Sequence, residues 1–109
     1  MQPNKLKAKT PPPAKDDSLA TRVIHLVGAG GSGMSGLAMM MHGLGARVSG
    51  SDAQQGPEIE ALLEAELTVT TGESTGMLPE ACDLAIHSAA VPPDHPELLE
   101  AQRRGIEVL

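Results

Sequence analysis

The chain of 109 residues has no phenylalanine, tyrosine or tryptophan. Any nucleotide base that it binds must therefore rest against aliphatic side chains or backbone, because no aromatic ring offers a stacking platform. The composition, with 40% hydrophobic and 20% charged residues, is that of a globular protein. Its length fits one domain and is too short for a cofactor domain joined to a substrate domain.

Cysteine and long apolar runs are also scarce. The single Cys82 forms neither an intramolecular disulfide nor a thiolate metal cluster, which favours a reducing, cytoplasmic setting. No apolar run approaches the ~18–20 residues of a membrane span, and no apolar stretch follows the early lysines as a secretory signal requires. The four histidines lack the spacing of a metal site, so we predict no metal and no cofactor in this domain.

Basic residues are few outside the first twenty positions. Residues 21–109 contain four arginines, no lysine and twelve acidic residues. Nonspecific nucleic-acid binding depends on Lys and Arg neutralising phosphates, so we predict no nucleic-acid partner. Residues 1–20 contain four lysines and three consecutive prolines. We predict a disordered, Pro-rich tail there, because such a composition does not offset the entropy of ordering.

Strand-like and helix-like patterns alternate from Arg22 onward. Short apolar or β-branched runs predict strands at 23–27, 47–51, 67–70, 84–88 and 106–109. Helices are predicted from Met34, from Pro57 and from Pro96, the last capped by Asp94 or His95. In the first helix, Met34, Leu37, Met41 and Leu44 share one face, and Gly45 is placed to end it in a left-handed conformation. This order predicts an α/β fold with a parallel sheet of about five strands and helices on both faces.

A glycine-rich loop joins the first predicted strand to the first helix. Gly28-Ala29-Gly30-Gly31-Ser32-Gly33 satisfies G-x-G-x-x-G, the Rossmann-like pattern in which glycines permit a tight turn and a close backbone approach to a ligand. Unpaired N–H groups and the dipole at the helix start favour a pyrophosphate. The loop contains no lysine, so it is not the triphosphate-binding Walker A motif.

Asp52 lies 24 residues past the first of these glycines, at the end of the second predicted strand. A carboxylate there accepts hydrogen bonds from a ribose or from a base N–H. Both a dinucleotide such as NAD and a nucleoside diphosphate sugar present a pyrophosphate and a ribose. The residues considered so far do not separate these two ligands.

Three longer stretches resemble one enzyme family. Residues 24–36 (IHLVGAGGSGMSG), 48–52 (VSGSD) and 88–97 (SAAVPPDHPE) resemble, in that order, the N-terminal segment of the UDP-N-acetylmuramate–L-alanine ligases. These Mur ligases add the first amino acid in peptidoglycan synthesis, a step of cell-wall biogenesis. The murein-tripeptide recycling ligases share the architecture, but Gly30–Ser35 favours the alanine-adding enzymes. The resemblance implies that residues 21–109 are the family's UDP-sugar-binding domain, truncated at its C-terminal end because the fifth strand is cut at Leu109.

By this resemblance the substrate is UDP-N-acetylmuramic acid, and its UDP part lies between two sets of loops. The glycine loop and helix start would face the pyrophosphate, the end of the second strand the uridine, and the loop after the fourth strand the other side. The implied binding residues are Gly28, Ala29, Gly30, Gly31, Ser32, Gly33, Met34, Ser35, Ser51, Asp52, Ser88, Ala89 and Ala90. No catalytic residue is implied among them. Glu73 stands where the family pattern has a histidine.

Two other functions fit the glycine loop. One is an NAD(P)-binding Rossmann domain of an oxidoreductase or a nucleotide-sensing module, and the other is an interaction domain that binds no nucleotide. Outside the loop, we predict that His25 is a packed, hydrogen-bonded residue of the core and that Cys82 is a small buried residue and not a reactive thiol.

The resemblance also predicts that this chain does not ligate by itself. In the family, ATP and Mg²⁺ act in a central and a C-terminal domain, and no Gly-Lys-Thr loop is present in the 109 residues. Incubation of the chain with ATP, L-alanine and UDP-N-acetylmuramic acid should release no phosphate. A full-length ligase of the family is the positive control, and turnover by the chain itself would contradict the prediction.

Overall fold

Strands and helices alternate along the chain. A computed structural model describes residues 21–72 and 78–109, so the predicted tail at 1–20 and Glu73 lie outside the described residues. The elements are β1 Val23–Val27, α1 Met34–Gly43, β2 Arg47–Asp52, α2 Pro57–Glu64, β3 Thr68–Thr71, β4 Leu84–His87, α3 Pro96–Arg104 and β5 Glu107–Val108. None of the helices in these two ranges is long and apolar enough to cross a membrane.

The strands form one parallel sheet in the order β3-β2-β1-β4-β5. The chain builds outward from β1 to β3 and then crosses back to place β4 on the other side of β1. The predicted Rossmann-like sheet of five strands is therefore confirmed. The loops that leave β1 and β4 run in opposite directions, and this divergence opens a crevice at the carboxyl edge of the sheet.

Helices cover both faces of the sheet, as predicted. Ile24 and Leu26 of β1 belong to a core cluster with buried residues of α1 and α2, among them Met41 and Leu62. Ala85 of β4 belongs to a second, smaller cluster with Ala101 of α3. Because successive side chains of a strand point to opposite faces, adjacent residues such as Leu84 and Ala85 fall into different clusters.

The helix ends follow local signals. Gly33 and Gly45, which flank α1, have φ angles of 77° and 99°, so the left-handed position predicted for Gly45 is confirmed. His95 is the cap of α3, since its side chain accepts from the Glu97 N–H. The prediction that Leu44 shares the buried stripe of α1 is wrong. The helix ends at Gly43, and Leu44 is 56% exposed, because the helical periodicity does not extend beyond the last turn.

One glycine inside β2 determines how closely the glycine-rich loop lies on the sheet. A Cβ atom at Gly50 would be 2.8 Å from the Ala29 Cβ and 3.2 Å from the Leu26 carbonyl oxygen. Ala29 is itself buried against the sheet with 1% of its surface exposed. The loop therefore occupies the space that any larger residue at position 50 would need.

We expect Gly50→Ala to lower the free energy of unfolding by about 1–3 kcal/mol, the usual cost of adding atoms to a filled core. The matched control is Gly43→Ala, since a Cβ there meets no atom within 4 Å and helical alanine is favoured over glycine by up to about 1 kcal/mol. Urea denaturation followed by far-UV circular dichroism measures both, and equal stability of Gly50→Ala and the parent chain would contradict the prediction.

Candidate functional site

A cleft of about 540 Å³ lies at the carboxyl edge of the sheet. It is lined by the loops that follow β1, β2 and β4, and so occupies the place where ligands bind in open parallel sheets. The cleft-lining residues that the sequence predicted for the site are Gly28, Gly30, Gly31, Ser51, Asp52, Ser88 and Ala90. The structure therefore brings together three segments that are far apart in the chain.

The first wall of the cleft is the glycine-rich loop, fastened to the end of β2. The N–H groups of Gly28 and Ala29 both donate to the Ser51 carbonyl oxygen at 2.8 Å. The Gly30 N–H donates to the Asp52 Oδ2 at 2.9 Å. Three consecutive amides of the loop thus bond to two consecutive residues of the neighbouring strand. The path of the loop is fixed by the protein itself.

Two further amides of this wall are used within the loop. The Gly31 N–H donates to the Gly28 carbonyl, and the Met34 N–H donates to the Gly31 carbonyl, both at 2.9 Å. Across the described part of the chain, no hydrogen bond occupies the N–H groups of Ser32, Gly33 and Ser35. These donors lie at the positive end of the α1 dipole, the place where a helix favours an anion.

The remaining predicted residues lie outside the lining of the cleft. Ala29 and Met34 direct their side chains into the core, where they are 1% and 7% exposed. Ser32, Gly33 and Ser35 continue the first wall at the start of α1. Ala89 follows Ser88 in the loop after β4 but does not line the cleft. The predicted residues outside the lining are Ala29, Ser32, Gly33, Met34, Ser35 and Ala89.

The Asp52 carboxylate has a structural role and also lines the cleft. Its Oδ2 accepts from the Gly30 N–H and its Oδ1 accepts from the Gln54 N–H at 3.0 Å. A Cβ at Gly30 would lie 3.1 Å from that Oδ2, so glycine permits the close approach. The side chain is half-buried. Asp52 therefore orders the first wall while its carboxylate borders the cleft.

The second wall is the segment between β4 and α3. The Ser88 N–H donates to the Val27 carbonyl at 3.1 Å, and the Val91 N–H donates to the Ser88 carbonyl at 3.2 Å. The two walls meet at Gly28, which has a φ of 81°. A Cβ at that glycine would lie 2.7 Å from the Ser88 Oγ and 2.9 Å from the Val91 Cγ2. Only a residue without a side chain fits at this junction.

Sequence reasoning did not assign His95 to the site, although the structure places it in the lining of the cleft. Its Nδ1 accepts from the Glu97 N–H at 3.1 Å. A ring that accepts at Nδ1 is neutral and has its hydrogen on Nε2, which is then a donor. The one signal in the sequence was its position ahead of a helix, and that signal indicates a cap and not a ligand contact.

A buried polar network lies behind the cleft. The Glu97 Oε1 is 2.8 Å from the His25 Nε2 and accepts from the Ser51 Oγ at 2.6 Å. The other ring nitrogen of His25 is 2.8 Å from the Ser49 Oγ. His25, Ser51 and Glu97 are all less than 5% exposed. The prediction of a packed, hydrogen-bonded His25 is confirmed, and the Ser51 hydroxyl donates toward α3.

Other side chains that could take part in chemistry have structural roles. Cys82 is buried, as predicted, and burial raises the pKa of its thiol, which disfavours the reactive thiolate. The His87 Nδ1–H donates to the Ser88 carbonyl at 2.9 Å. In residues 21–72 and 78–109, no group of three or more His, Cys, Asp or Glu side chains is arranged to hold a metal ion.

Known proteins resemble this chain in both sequence and structure. A family model described as "Mur ligase family, catalytic domain" matches residues 23–109. The UDP-N-acetylmuramate–L-alanine ligase of Pelotomaculum thermopropionicum is 43% identical over 88 residues, 81% of this chain and 19% of that protein. The Salinispora tropica ligase of the same name is 43% identical over 86 residues, 79% of this chain and 16% of that protein.

A solved structure is similar over the same region. The UDP-N-acetylmuramate-alanine ligase MurC of Thermotoga maritima superimposes with a TM-score of 0.73 at 29% identity, over 79% of this chain and 20% of that chain. The chain thus spans about a fifth of the length of the relatives that it matches.

The hydrogen bonds of Asp52 predict its contribution to the first wall. We expect Asp52→Ala to lower the free energy of unfolding by about 1–2 kcal/mol, because the Gly30 and Gln54 amides lose their acceptor. Amide exchange at Gly30 should also become faster, and Asp52→Asn should keep part of the protection. Removal of the exposed α2 carboxylate in Glu64→Ala is the control. Unchanged exchange at Gly30 in Asp52→Ala would count against this role.

Proposed function

The chain belongs to the Mur ligase family, and from this premise we propose that it binds the UDP part of UDP-N-acetylmuramic acid. It would do so as the N-terminal substrate domain, residues 21–109, of an ATP-dependent ligase that adds L-alanine in peptidoglycan synthesis. The observation that carries the proposal is the cleft at the diverging ends of β1 and β4, bordered by a glycine loop with unoccupied amides. The similar proteins with this substrate in their names support the same ligand.

The pyrophosphate is proposed to lie at the start of α1. The N–H groups available there belong to Ser32, Gly33 and Ser35, and within the described residues they donate to no acceptor. No lysine stands in the loop, so the anion is held by peptide dipoles and the helix dipole. Gly33 has a φ of 77° and no atom within 4 Å of the place where a Cβ would stand. Its open surface leaves room for a phosphate group.

The uridine is proposed to lie deeper in the cleft, between the two walls. Asp52, together with Ser51, borders the first side, and Ser88 and Ala90 border the second. The larger apolar side chains among the lining residues are those of Val91 and Pro92, beside the methyl groups of Ala53 and Ala90. A uracil ring would rest on such aliphatic groups, because the protein has no aromatic side chain to stack on it.

The whole reaction is proposed to need the other parts of a ligase. Since the chain spans about a fifth of its relatives, ATP, Mg²⁺ and L-alanine would bind in the central and C-terminal domains of the same protein. There the lactyl carboxylate would take the γ-phosphoryl group of ATP with release of ADP, and the amine of L-alanine would then displace inorganic phosphate from this acyl phosphate to form the amide. We propose a cytoplasmic location, in keeping with a single cysteine that forms no disulfide.

Titration of the isotope-labelled chain, followed by amide chemical shifts, tests the ligand. We expect UDP-N-acetylmuramic acid to move the signals of Ser32, Gly33 and Ser35, and we expect UDP to move the same signals. NADH should not move them. The opposite pattern would favour the NAD(P)-binding alternative, and binding of neither nucleotide would favour an interaction domain.

A pair of glycine variants tests whether the start of α1 holds the pyrophosphate. Gly33→Ala and Gly105→Ala both put a side chain at a left-handed position in open space, with φ of 77° and 73°. Each should cost about 1–2 kcal/mol of stability. Only Gly33→Ala should also weaken binding of the UDP-sugar, by about tenfold or more, because Gly105 lies at the far end of α3. Equal affinities in the two variants would contradict the placement.

A further inference from the structure

The buried network of Glu97 connects the two walls of the cleft from below. Glu97 belongs to the first turn of α3, directly after the second wall. Its carboxylate extends past β1 to the Ser51 hydroxyl at the end of β2, which carries the first wall. The sequence separation of the two residues is 46 positions. One side chain therefore joins segments that the sheet order holds on different sides of β1.

This connection is costly to build inside a protein. Glu97 and His25 are 2% and 4% exposed, so the carboxylate gives up nearly all of its contact with water. Replacing a buried polar pair by apolar side chains of similar volume is often neutral or stabilising. The Glu97 Oε1 lies 2.6 Å from the Ser51 Oγ and 2.8 Å from the His25 Nε2, and such directional hydrogen bonds fix geometry as well as contribute energy. The network is better explained by the geometry that it imposes than by stability.

Ser51 connects the Glu97 carboxylate to the glycine loop. Its hydroxyl donates to Glu97, while its carbonyl oxygen accepts from the Gly28 and Ala29 N–H groups. The orientation of Ser51 thus sets the position of the first two amides of the loop. The N–H groups at the start of α1 follow in the same loop, so their positions also depend on how its first two residues are held.

We propose that Glu97 is a positioning residue for nucleotide binding. It holds Ser51 so that the glycine loop keeps its shape and its free amides stay turned toward the ligand. His25 holds the carboxylate from the β1 side, and the Ser49 hydroxyl fixes the ring of that histidine. The effect of Glu97 on ligand binding rests on the proposed function, whereas its effect on the shape of the loop does not.

Two substitutions separate the hydrogen bonds of Glu97 from its bulk. Glu97→Gln keeps a carbonyl oxygen where both bonds are accepted, and Glu97→Leu removes the acceptor at similar volume. Amide exchange at Gly28 and Ala29, without ligand, reports on the loop, and the dissociation constant for UDP-N-acetylmuramic acid reports on binding. We expect Glu97→Leu to speed exchange and weaken binding, each by about tenfold, the effect of losing the hydrogen bond that orients Ser51. Glu97→Gln should stay close to the parent chain.

The matched control is Glu100→Leu in the same helix. Glu100 accepts hydrogen bonds from the side chains of Arg103 and Arg104 and is not among the residues that line the cleft. It should leave loop exchange and affinity unchanged. If Glu97→Leu does not fold, Ser51→Ala removes the bond to Ser51 while the contact between His25 and the carboxylate stays, and the same effects are expected.

The possible results divide clearly. Parent-like exchange and affinity in both Glu97→Leu and Ser51→Ala would overturn the proposal, as would an equal loss in Glu97→Gln and Glu97→Leu. Faster exchange at Gly28 and Ala29 in Glu97→Leu, restored in Glu97→Gln, supports the positioning of the loop. If the parent chain binds no UDP-sugar, the proposed function fails, and the exchange measurements still decide the role of Glu97.

Discussion

The arrangement of the cleft depends on the carbonyl oxygen of Ser51, because this oxygen accepts hydrogen bonds from the first two N–H groups of the glycine loop. Ser51 is paired in register with Val27 on one side and with Thr70 on the other, so its carbonyl is held rigidly by the sheet. A loop tied to such a point has little freedom left at its remaining amides. Their ordering is paid for during folding, and an anion that binds them does not have to order the loop itself.

With the proposed function, the cleft would select its ligand by geometry more than by charge. The loop has no lysine, and the chain beyond residue 20 is acidic. Peptide N–H groups and the α1 dipole supply only partial positive charges, which attract an anion over a short distance. Asp52 adds a negative charge beside the loop, but its oxygens accept from the Gly30 and Gln54 amides. The positions of a few donors would therefore decide which anion the proposed site binds.

The two faces of the sheet have different roles. The face covered by α1 and α2 is apolar and contains the larger core cluster, which stabilises the domain. The face covered by α3 contains the contacts of Glu97 with His25 and Ser51 and, among the described residues, the smaller apolar cluster. Polar contacts are directional, whereas apolar contacts are not. The α3 face is thus suited to setting the relative position of the cleft walls.

The sequence by itself determined the strands, the helix starts, the left-handed Gly45 and the glycine loop, because each depends on neighbouring residues. It did not determine which carbonyl the loop amides choose, nor that Leu44 lies outside its helix. The meeting of Glu97 with His25, 72 positions away, was decided only by the tertiary structure. Periodicity shows which face of an element is buried, but sheet order and register alone decide which distant polar groups come within hydrogen-bond distance.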